Sequence, residues 1–401
     1  MTALYGLLGR KLGHSRSPEL HRALAGYDYD LFPVEPEDLE AFLKQTPCRG
    51  LNVTIPYKKA VVGYCTELSE AARRLGSVNT MVRRHDGWYG DNTDYAGFCA
   101  LIAPFAPAGR RALVLGSGGA GTMALQALRD LGADAQIVSR TGPVNYENMD
   151  RSAELIVNAT PVGMWPETGR SPLELSEFPA CSSVADLIYN PLRTRLLLDA
   201  ERRGIPNADG LWMLTVQAQR AAELFTCTSI PDEKAERVYR NLRAEMENLV
   251  LIGMPGCGKS AVGAALAEAM GRPFLDADAI VAERFGEIPA IFANQGEDAF
   301  RKMETQVLSE LGKRTGCVIA TGGGCVTRPE NRDHLRQNGR LIWLRRPLED
   351  LPTAGRPLSQ ARSPRALYAE RAPLYRAWAE AAIENTGTVT DTVRKIWEAI
   401  G

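Results

Sequence analysis

The stretch Ala112-Leu-Val-Leu115 followed by Gly116-Ser-Gly-Gly-Ala-Gly121 sets the fold that we expect for the first half of this chain. Four apolar residues lead into a GxGxxG motif, after which apolar side chains recur at helical spacing at Met123, Leu125, Leu128 and Leu131. A strand, a Gly-rich turn and a helix in this order form the unit in which a pyrophosphate lies against the helix N-terminus. The stretch therefore predicts a dinucleotide-binding fold, and a Gly-rich tight turn without a ligand is the alternative.

The type of dinucleotide is predicted from the end of the next apolar segment. An NAD site normally has Asp or Glu there for the ribose hydroxyls, whereas this chain has Ser139-Arg-Thr141. A cation suits a 2′-phosphate, so NADP(H) is favoured over NAD, and a solvated surface arginine is the alternative. The residues expected to bind this cofactor are Gly116, Gly118, Gly119, Ala120, Gly121, Ser139, Arg140 and Thr141.

The chain of 401 residues is too long for one domain of about 100–200 residues. Short apolar runs alternate with amphipathic segments throughout, which predicts an α/β fold with mostly parallel sheets. The Pro/Ala-rich segment 103–111 is a first break, and a helix-like segment, 232–246, runs into a new apolar segment at 248–252. We expect three domains: 1–103, with 211–246 packing back on it, then 104–246, and then 247–401.

Composition excludes several classes of protein. Lys and Arg number 47 against 48 Asp and Glu, so the basic excess of a nucleic-acid binder is absent. No apolar run of about 18 residues predicts a membrane span, and the first residues do not resemble a signal peptide. The 8 Cys are scattered without a CxxC pair. We therefore expect a cytoplasmic protein with unpaired thiols and with no nucleic-acid or membrane partner, as a monomer or a homodimer.

Four polar clusters precede the Gly-rich loop, each in an apolar setting. They are His14-Ser-Arg-Ser-Pro18, Asn52-Val-Thr-Ile-Pro-Tyr-Lys58, Val78-Asn-Thr80 and Asp91-Asn-Thr-Asp94. Any one of them alone could be a turn. Together they supply hydroxyl and amide groups and one Lys beside an Asp, which predicts a pocket for a small polyhydroxylated acid.

With these motifs, residues 4–246 resemble shikimate dehydrogenase. The segments Asn158–Met164 (NATPVGM), 186–191 (DLIYNP) and 209–218 (DGLWMLTVQA) continue the family's motifs in order. The resemblance implies an N-terminal α/β substrate domain, a Rossmann domain, and NADPH-dependent reduction of 3-dehydroshikimate to shikimate. It assigns Lys58 and Asp94 as the catalytic pair, in which Asp94 positions Lys58.

The same resemblance implies substrate and cofactor contacts. Ser15 and Ser17 would hold the substrate carboxylate, and the ring hydroxyls and remaining contacts would fall to Thr54, Asn79, Gln217 and Tyr189. Thr160, Met164 and Met213 would flank the nicotinamide, with core packing as the alternative for both methionines. The cofactor segment departs from the family because only one cation, Arg140, is present in it.

A second Gly-rich loop, Gly253-Met-Pro-Gly-Cys-Gly258-Lys259-Ser260, follows the apolar run Leu249-Val-Leu-Ile252. A full GxxxxGKS between strand and helix predicts a P-loop, in which backbone N–H groups cradle phosphates and Lys259 reaches the outer ones. Ser260 would ligate Mg²⁺, and we expect Cys257 to fill space rather than act as a nucleophile. The residues expected to contact ATP are Gly256, Cys257, Gly258, Lys259, Ser260 and Ala261.

Further motifs follow the P-loop: Asp276-Ala-Asp278, Phe300-Arg301, Thr321-Gly-Gly-Gly324, Gly355-Arg-Pro-Leu358 and Arg371-Ala-Pro-Leu-Tyr375. With them, residues 248–401 resemble shikimate kinase, a P-loop α/β fold similar to nucleoside monophosphate kinases. The resemblance implies ATP-dependent phosphorylation of shikimate on its 3-hydroxyl. It places Asp276 in the Mg²⁺ shell with Ser260, Asp278 on the accepting hydroxyl, and Arg356 on the transferring phosphoryl group.

The remaining kinase contacts concern the substrate. Arg301 and Arg371 would clamp the shikimate carboxylate, since two planar cations suit a carboxylate, and surface charge is the alternative for the arginines. Backbone contacts to the ring hydroxyls would come from Gly322, Gly323 and Gly324.

The two halves together predict a bifunctional enzyme of the shikimate (aromatic amino acid) pathway that uses NADP(H), ATP and Mg²⁺. Its partners would be the small molecules 3-dehydroshikimate and shikimate. One alternative is an inactive regulatory sensor on the same folds, although the candidate catalytic residues are all present. Another is a dehydrogenase that also accepts quinate, which Ser15 and Ser17 do not settle.

Overall fold

The computed structural model describes residues 4–13, 15–351 and 363–400 as two compact units. The first contains the chain up to Pro161, Pro172–Tyr189 and Asp199–Leu242; the second contains Val162–Ser171, Asn190–Leu198 and the chain from Arg243 on. Parallel sheets with helices between their strands confirm the predicted α/β class. The three predicted domain ranges stay predictions.

The first described sheet has six strands in the order β2-β1-β3-β5-β6-β4. Parallel pairing joins β2, β1 and β3, whereas β5 is antiparallel to both β3 and β6. Its strands are β1 (Tyr5–Gly9), β2 (Tyr29–Pro33), β3 (Gly50–Val53), β4 (Cys65–Leu68), β5 (Thr80–Arg84) and β6 (Gly87–Asp91). The helices along this part are α1 (Ser17–Ala25), α2 (Leu39–Gln45), α3 (Glu70–Leu75) and α4 (Thr93–Ile102).

The second described sheet is fully parallel, in the order β11-β10-β9-β7-β8. Its strands are β7 (Arg111–Leu115), β8 (Asp134–Val138), β9 (Leu155–Asn158), β10 (Ser183–Asp186) and β11 (Asn207–Ala208). The helices are α5 (Gly119–Asp130), α6 (Arg195–Arg202), α7 (Leu211–Thr226) and α8 (Asp232–Met246). The strand order reverses between β7 and β9, and the loops at the carboxyl ends of these strands are where such sheets bind ligands.

Helix α7 packs against α1 and α4 of the same unit. Phe225 lies near the end of α7. A Cβ on Gly50 of β3 would lie only 2.3 Å from the ring of Phe225. The helix therefore closes over the first sheet, and its earlier turns reach the second, where Trp212 and Met213 pack on the core.

The third described sheet, in the second unit, is also parallel, in the order β13-β14-β12-β15-β16. Its strands are β12 (Asn248–Ile252), β13 (Phe274–Asp276), β14 (Val318–Ala320), β15 (Gly339–Arg345) and β16 (Ala381–Glu384). The helices are α9 (Lys259–Met270), α10 (Ala277–Phe285), α11 (Ile288–Gly312), α12 (Glu330–Arg336), α13 (Pro364–Trp378) and α14 (Val389–Ile400). The central strand β12 is completely buried, which suits its run of apolar residues.

Within the described ranges, no helix is both long enough and apolar enough to cross a membrane.

Leu128, in the last turn of α5, and Leu131, directly after the helix, provide a test of this packing. Leu128 is fully buried in the core of the second sheet, whereas Leu131 is 37% exposed. We expect Leu128→Ala to lower the free energy of unfolding by about 2–5 kcal/mol, because the change removes buried methylenes and leaves a cavity. Leu131→Ala, the matched control, should cost less than about 1 kcal/mol. Calorimetric unfolding of both variants measures this, and equal losses would contradict the packing described.

Candidate active sites

The first Gly-rich loop joins β7 to α5. A Cβ on Gly121 would lie 1.8 Å from the carbonyl oxygen of Gly116, so the close approach of these two segments requires glycine. A Cβ on Gly118 or Gly119, in contrast, would meet nothing within 4 Å. The loop thus leaves its outer side open at the start of α5, where a pyrophosphate can approach the backbone N–H groups of Gly119, Ala120 and Gly121.

The residues predicted to choose between NADP and NAD follow β8. Arg140 and Thr141 are exposed and Ser139 is half-buried. Burial raises the pKa of Tyr146, and the nearby Arg140 opposes this effect. The Arg140 guanidinium therefore lies just after β8, the second strand of the dinucleotide-binding sheet, and is exposed to solvent. An exposed cation at this position fits a 2′-phosphate.

Thr160 lies beside the Gly-rich loop, with its Cγ2 2.9 Å from where a Cβ on Gly116 would be. Its backbone N–H and its hydroxyl both donate to the Oδ1 of Asn158, at 3.0 and 2.7 Å. Asn158 in turn donates to Asp186 at the end of β10, at 3.0 Å. These bonds fix the loop that follows β9.

The two methionines predicted to flank the nicotinamide lie in different units. Met213 is half-buried and packs on the core of the second sheet, as the packing alternative expects. Met164 is 45% exposed and belongs to the second unit.

The predicted Lys–Asp pair is formed. The Nζ of Lys58, in the turn after β3, lies 2.5 Å from Oδ2 of Asp94 in the first turn of α4. The side chains are 33% and 22% exposed. A partly exposed ammonium held by a carboxylate can give a proton to a bound oxygen and take one back from water.

The polar side chains predicted for the substrate surround this pair. Asn79 is 3% exposed and accepts a hydrogen bond from the backbone N–H of Thr93, the residue before Asp94, at 2.7 Å. Thr54 is half-buried directly after β3, and Gln217 lies on α7 with its Cβ 3.2 Å from where a Cβ on Gly97 would be. Gly97 lies one turn after Asp94 in α4, so Gln217 lies close to the part of α4 that carries Asp94.

Ser15 and Ser17 lie where the chain enters α1. The Ser15 hydroxyl donates to Ser17 Oγ at 3.1 Å. Burial raises the pKa of Tyr189, and the charge of Arg16, the residue between the two serines, opposes this. His14, which precedes them in the motif, lies outside the described residues.

The second unit contains a cavity of about 400 Å³ that brings together the motifs of its sequence. Three apolar side chains, Ile288, Phe292 and Phe300, form part of its wall. The polar and glycine residues that line it are Gly256, Gly258, Lys259, Ser260, Asp278, Arg301, Glu304, Thr321, Gly322, Gly323, Gly324 and Arg371, with Pro255 and Ala261 beside them.

The P-loop of this cavity is fixed from both sides. Lys259 donates through Nζ to the carbonyl oxygens of Gly253 and Met254, both at 3.0 Å. Cys257 is fully buried, as its space-filling role predicts, and Asn385 donates to its carbonyl oxygen at 2.7 Å. Sequence analysis missed Asn385, because it follows β16 without a recognisable motif.

Two oxygen ligands for a cation adjoin the P-loop. The Ser260 hydroxyl donates to Asp276 Oδ2 at 2.5 Å, while Asp276 Oδ1 caps α10 by accepting from two backbone N–H groups. The described residues contain no cluster of three or more His, Cys, Asp or Glu side chains that could hold a metal alone. This donor set fits Mg²⁺, which keeps several waters and binds through one or two protein oxygens together with phosphates.

Arg301 and Arg371 are 5% and 1% exposed, so neither is an ordinary surface charge. Arg301 pairs with Glu304 at 2.6 Å and with Glu297 at 3.1 Å. Arg371 donates to the carbonyl oxygen of Gly323 at 3.3 Å, and Tyr375 donates to the same oxygen. The arginines thus meet at one wall of the cavity.

Glu304 is the residue that sequence analysis missed here. It is completely buried, and burial raises the pKa of its carboxyl group. The negative charge of Asp278 raises this pKa further, whereas the positive charges of Arg301 and Arg371 lower it. The signal in the sequence was its position three residues after Arg301 on one helix. Glu304 is therefore a buried carboxyl group that pairs with Arg301 and lies, with Asp278, beside Gly322.

The glycine turn after β14 is closed to side chains. A Cβ on Gly324 would lie 2.0 Å from the guanidinium of Arg301, and one on Gly322 would lie 2.2 Å from Glu304 Oε1. Glycine at these positions lets the backbone form one wall of the cavity. Arg356, predicted to stabilise the transferring phosphoryl group, lies outside the described residues.

Comparison with known proteins relates the two parts of the chain to two families. Residues 7–81 match the family profile "Shikimate dehydrogenase substrate binding domain", and residues 255–401 match that of shikimate kinase. The NADP(+)-dependent shikimate dehydrogenase of Moorella thermoacetica is 37% identical over 274 residues, which are 60% of this chain and 93% of that protein.

Two solved structures show the same relationship. A chorismate mutase/shikimate 5-dehydrogenase fusion protein from Clostridium acetobutylicum is 37% identical, with a TM-score of 0.57 over 60% of this chain and 97% of that one. Shikimate 5-dehydrogenase from Thermus thermophilus, solved with NADP(H) and shikimate, is 32% identical, with a TM-score of 0.53 over 59% and 98%.

The two carboxylates that pair with Arg301 provide a test of the buried cluster. Glu304→Gln removes the buried anion and leaves Arg301 and Arg371 undercompensated, so we expect a loss of about 3 kcal/mol in the free energy of unfolding. Glu297 is 45% exposed, and the control Glu297→Gln should cost less than about 1 kcal/mol. Calorimetry of the full chain compares them, and a similar loss in both variants would show that Glu304 is not a buried partner.

Proposed function

Because the chain belongs to the shikimate dehydrogenase family and continues into a shikimate kinase domain, we propose that it performs two successive reactions at the two sites described. The first unit reduces 3-dehydroshikimate to shikimate with NADPH, and the second phosphorylates the 3-hydroxyl of shikimate with ATP and Mg²⁺. The observation that supports this most directly is the coexistence of the Lys58–Asp94 pair and the Arg301–Arg371–Glu304 cavity in one chain.

In the first reaction, NADPH supplies a hydride to the carbonyl carbon when it is bound. Lys58 Nζ donates a proton to the carbonyl oxygen, so the ketone becomes an alcohol with one hydride and one proton gained. Asp94 accepts a hydrogen bond from the ammonium at 2.5 Å and so holds the Lys58 nitrogen in place for the substrate oxygen. Solvent can then restore the proton, since Lys58 is partly exposed.

Substrate binding in the first unit rests on neutral groups. Ser15 and Ser17 hold the carboxylate through their hydroxyls, and Asn79, Thr54 and Gln217 bind ring hydroxyls, with Tyr189 as a further contact. Thr160 and Met213 adjoin the nicotinamide, and the loop from Gly116 to Gly121 holds the pyrophosphate. For Met164, the likeness to the family is what implies a contact with the nicotinamide.

In the second reaction, ATP supplies the γ-phosphoryl group. Asp278 accepts a hydrogen bond from the 3-hydroxyl and orients its oxygen for in-line attack. Lys259 exchanges its bonds to two P-loop carbonyls for bonds to phosphate oxygens, and Ser260 with Asp276 holds Mg²⁺. Arg301 and Arg371 bind the carboxylate, and Glu304 keeps Arg301 in the orientation that this requires.

The setting of the enzyme is part of the same proposal. All eight cysteines lie in the described residues and none forms a disulfide, which suits the reducing cytoplasm. Small-molecule substrates explain both sites without a nucleic-acid or membrane partner. Nothing observed favours an inactive sensor. Acceptance of quinate stays an alternative, which an assay with quinate and NADP⁺ tests.

A coupled assay tests both halves. The wild type should convert 3-dehydroshikimate, NADPH and ATP with Mg²⁺ into shikimate 3-phosphate. Lys58→Ala should lower dehydrogenase turnover by at least about a hundredfold and leave phosphorylation of added shikimate intact, because a positioned acid contributes about 10²–10⁴-fold. Asp278→Asn should lower the phosphorylation of shikimate and leave dehydrogenase turnover intact. Lys59→Ala changes the neighbouring, exposed lysine and is the control. Parallel loss of both activities in one variant would contradict two independent sites.

Cofactor preference tests Arg140. The wild type should use NADPH better than NADH, and Arg140→Ala should weaken NADPH binding by about 1.5–3 kcal/mol, the scale of a hydrogen bond to a charged group. NADH binding should hardly change, since its ribose carries no 2′-phosphate. Fluorescence titration of both cofactors measures this. Equal affinity of the wild type for the two cofactors would show that Arg140 does not bind the 2′-phosphate.

A further inference from the structure

A continuous chain of hydrogen bonds runs through the first unit between neutral side chains. It begins at Tyr29 in β2 and ends at the first turn of α4, next to Asp94. Its members, in order, are Tyr29, Asn52, Thr80, Asn79 and Thr93. We call this the side-chain relay.

Tyr29 is the first member of the relay. Its hydroxyl donates to Oδ1 of Asn52 at 2.8 Å. Tyr29 and Asn52 are each 5% exposed, and the Tyr29 ring is stacked on His21, with centroids 4.3 Å apart. The phenol is therefore held in one orientation by packing as well as by hydrogen bonds.

The second part of the relay lies between strands β3, β5 and α4. Asn52 Nδ2 donates to Thr80 Oγ1 at 3.1 Å, and Thr80 Oγ1 donates to Oδ1 of Asn79 at 3.1 Å. Asn79 Nδ2 then donates to Thr93 Oγ1 at 3.0 Å. Thr80 is fully buried and Thr93 is 3% exposed.

The first bond fixes the orientation of the Asn52 amide. Because the Tyr29 hydroxyl donates to Oδ1 of Asn52, the amide nitrogen of Asn52 faces Thr80. The Thr80 hydroxyl can then give its proton to Oδ1 of Asn79 or to Oγ1 of Thr93, 3.0 Å away. Reversal of the Asn52 amide would place two donors or two acceptors against each other in a buried setting, which costs about 1–3 kcal/mol. The relay therefore fixes the Asn52 amide, and Thr80 adds to the hydrogen bond from the backbone N–H of Thr93 that orients Asn79.

We propose that Tyr29 is a positioning residue of the dehydrogenase, which acts through Asn52 and Thr80 to orient Asn79. This rests on the proposed function, since it assumes that Asn79 binds substrate. Tyr29 itself touches no reacting atom. It supports, through buried side chains, the group that recognises a ring hydroxyl, so that this group is set before the substrate arrives.

The test is Tyr29→Phe, which removes the hydroxyl and keeps the ring. We expect the KM for 3-dehydroshikimate to rise about tenfold, the effect of one misdirected hydrogen bond. We expect kcat to change less than about threefold, because the Lys58–Asp94 pair is outside the relay. The KM for NADPH and the kinase activity should be unchanged. An unchanged KM for 3-dehydroshikimate overturns the proposal.

Tyr5→Phe is the matched control. It removes a tyrosine hydroxyl that donates to the backbone of Phe225 at 3.2 Å, outside the relay, and should leave the KM for 3-dehydroshikimate unaltered. A similar rise in KM with this variant would show that any hydroxyl loss loosens the unit, which also overturns the proposal.

Thr80 provides a second route if Tyr29→Phe does not fold. Thr80→Val removes the hydroxyl at nearly constant shape and should raise the same KM, whereas Thr80→Ser keeps the hydroxyl and should restore it. In the double variant with Tyr29→Phe, the two effects should not add, because both break one relay; additive effects contradict it. A wild type without dehydrogenase activity would refute the proposed function, whereas active wild type with unaltered Thr80→Val and Tyr29→Phe kinetics would refute only the relay.

Discussion

Both candidate sites depend on the requirement that a buried polar side chain must have a partner. In the first unit the partners are neutral, since Asn52, Asn79, Thr80 and Thr93 satisfy one another between the strands and α4. In the second unit the partners are charged, and Glu304 compensates arginines that would otherwise be isolated cations away from water. Each site thus owes part of its geometry to groups that have no proposed contact with the substrate, such as Asn52, Thr80 and Glu304.

Under the proposed roles, the two units hold a substrate carboxylate with different groups. The serine hydroxyls proposed for the first site attract an anion only at short range. Arg301 and Arg371 would hold the carboxylate in the second site through charge-assisted hydrogen bonds, and Glu304 balances part of their charge. The carboxylate is thus bound by neutral groups in the first site and by arginines beside a buried carboxylate in the second.

The sequence was sufficient where chemistry and local structure coincide. GxGxxG and GxxxxGKS each specify a strand, a turn and a helix within about fifteen residues, and the helix-like segment 232–246 is the helix α8. Those patterns predicted the fold class and the general position of both sites. They could not specify partners contributed by distant segments. Glu304 has the spacing of an ordinary surface ion pair with Arg301, and that spacing does not show that the fold brings Gly322 against its carboxyl group and buries it completely. Asn52 and Thr80 are 28 positions apart and meet only once β3 and β5 pair.

The glycine turn after β14 has an evolutionary consequence. Gly322 is closed by Glu304 and Asp278, Gly323 by Pro255 of the P-loop, and Gly324 by Arg301. Three consecutive codons are thereby constrained by three separate parts of the cavity, so a side chain at any of the three positions requires a shift of a residue that lines the cavity. Neutral drift, which tolerates most surface changes, is therefore restricted at this point. Diversification of the kinase half toward other substrates is therefore expected to begin elsewhere on the cavity wall, where Ile288 and Phe292 contribute side chains that can shrink without a backbone collision.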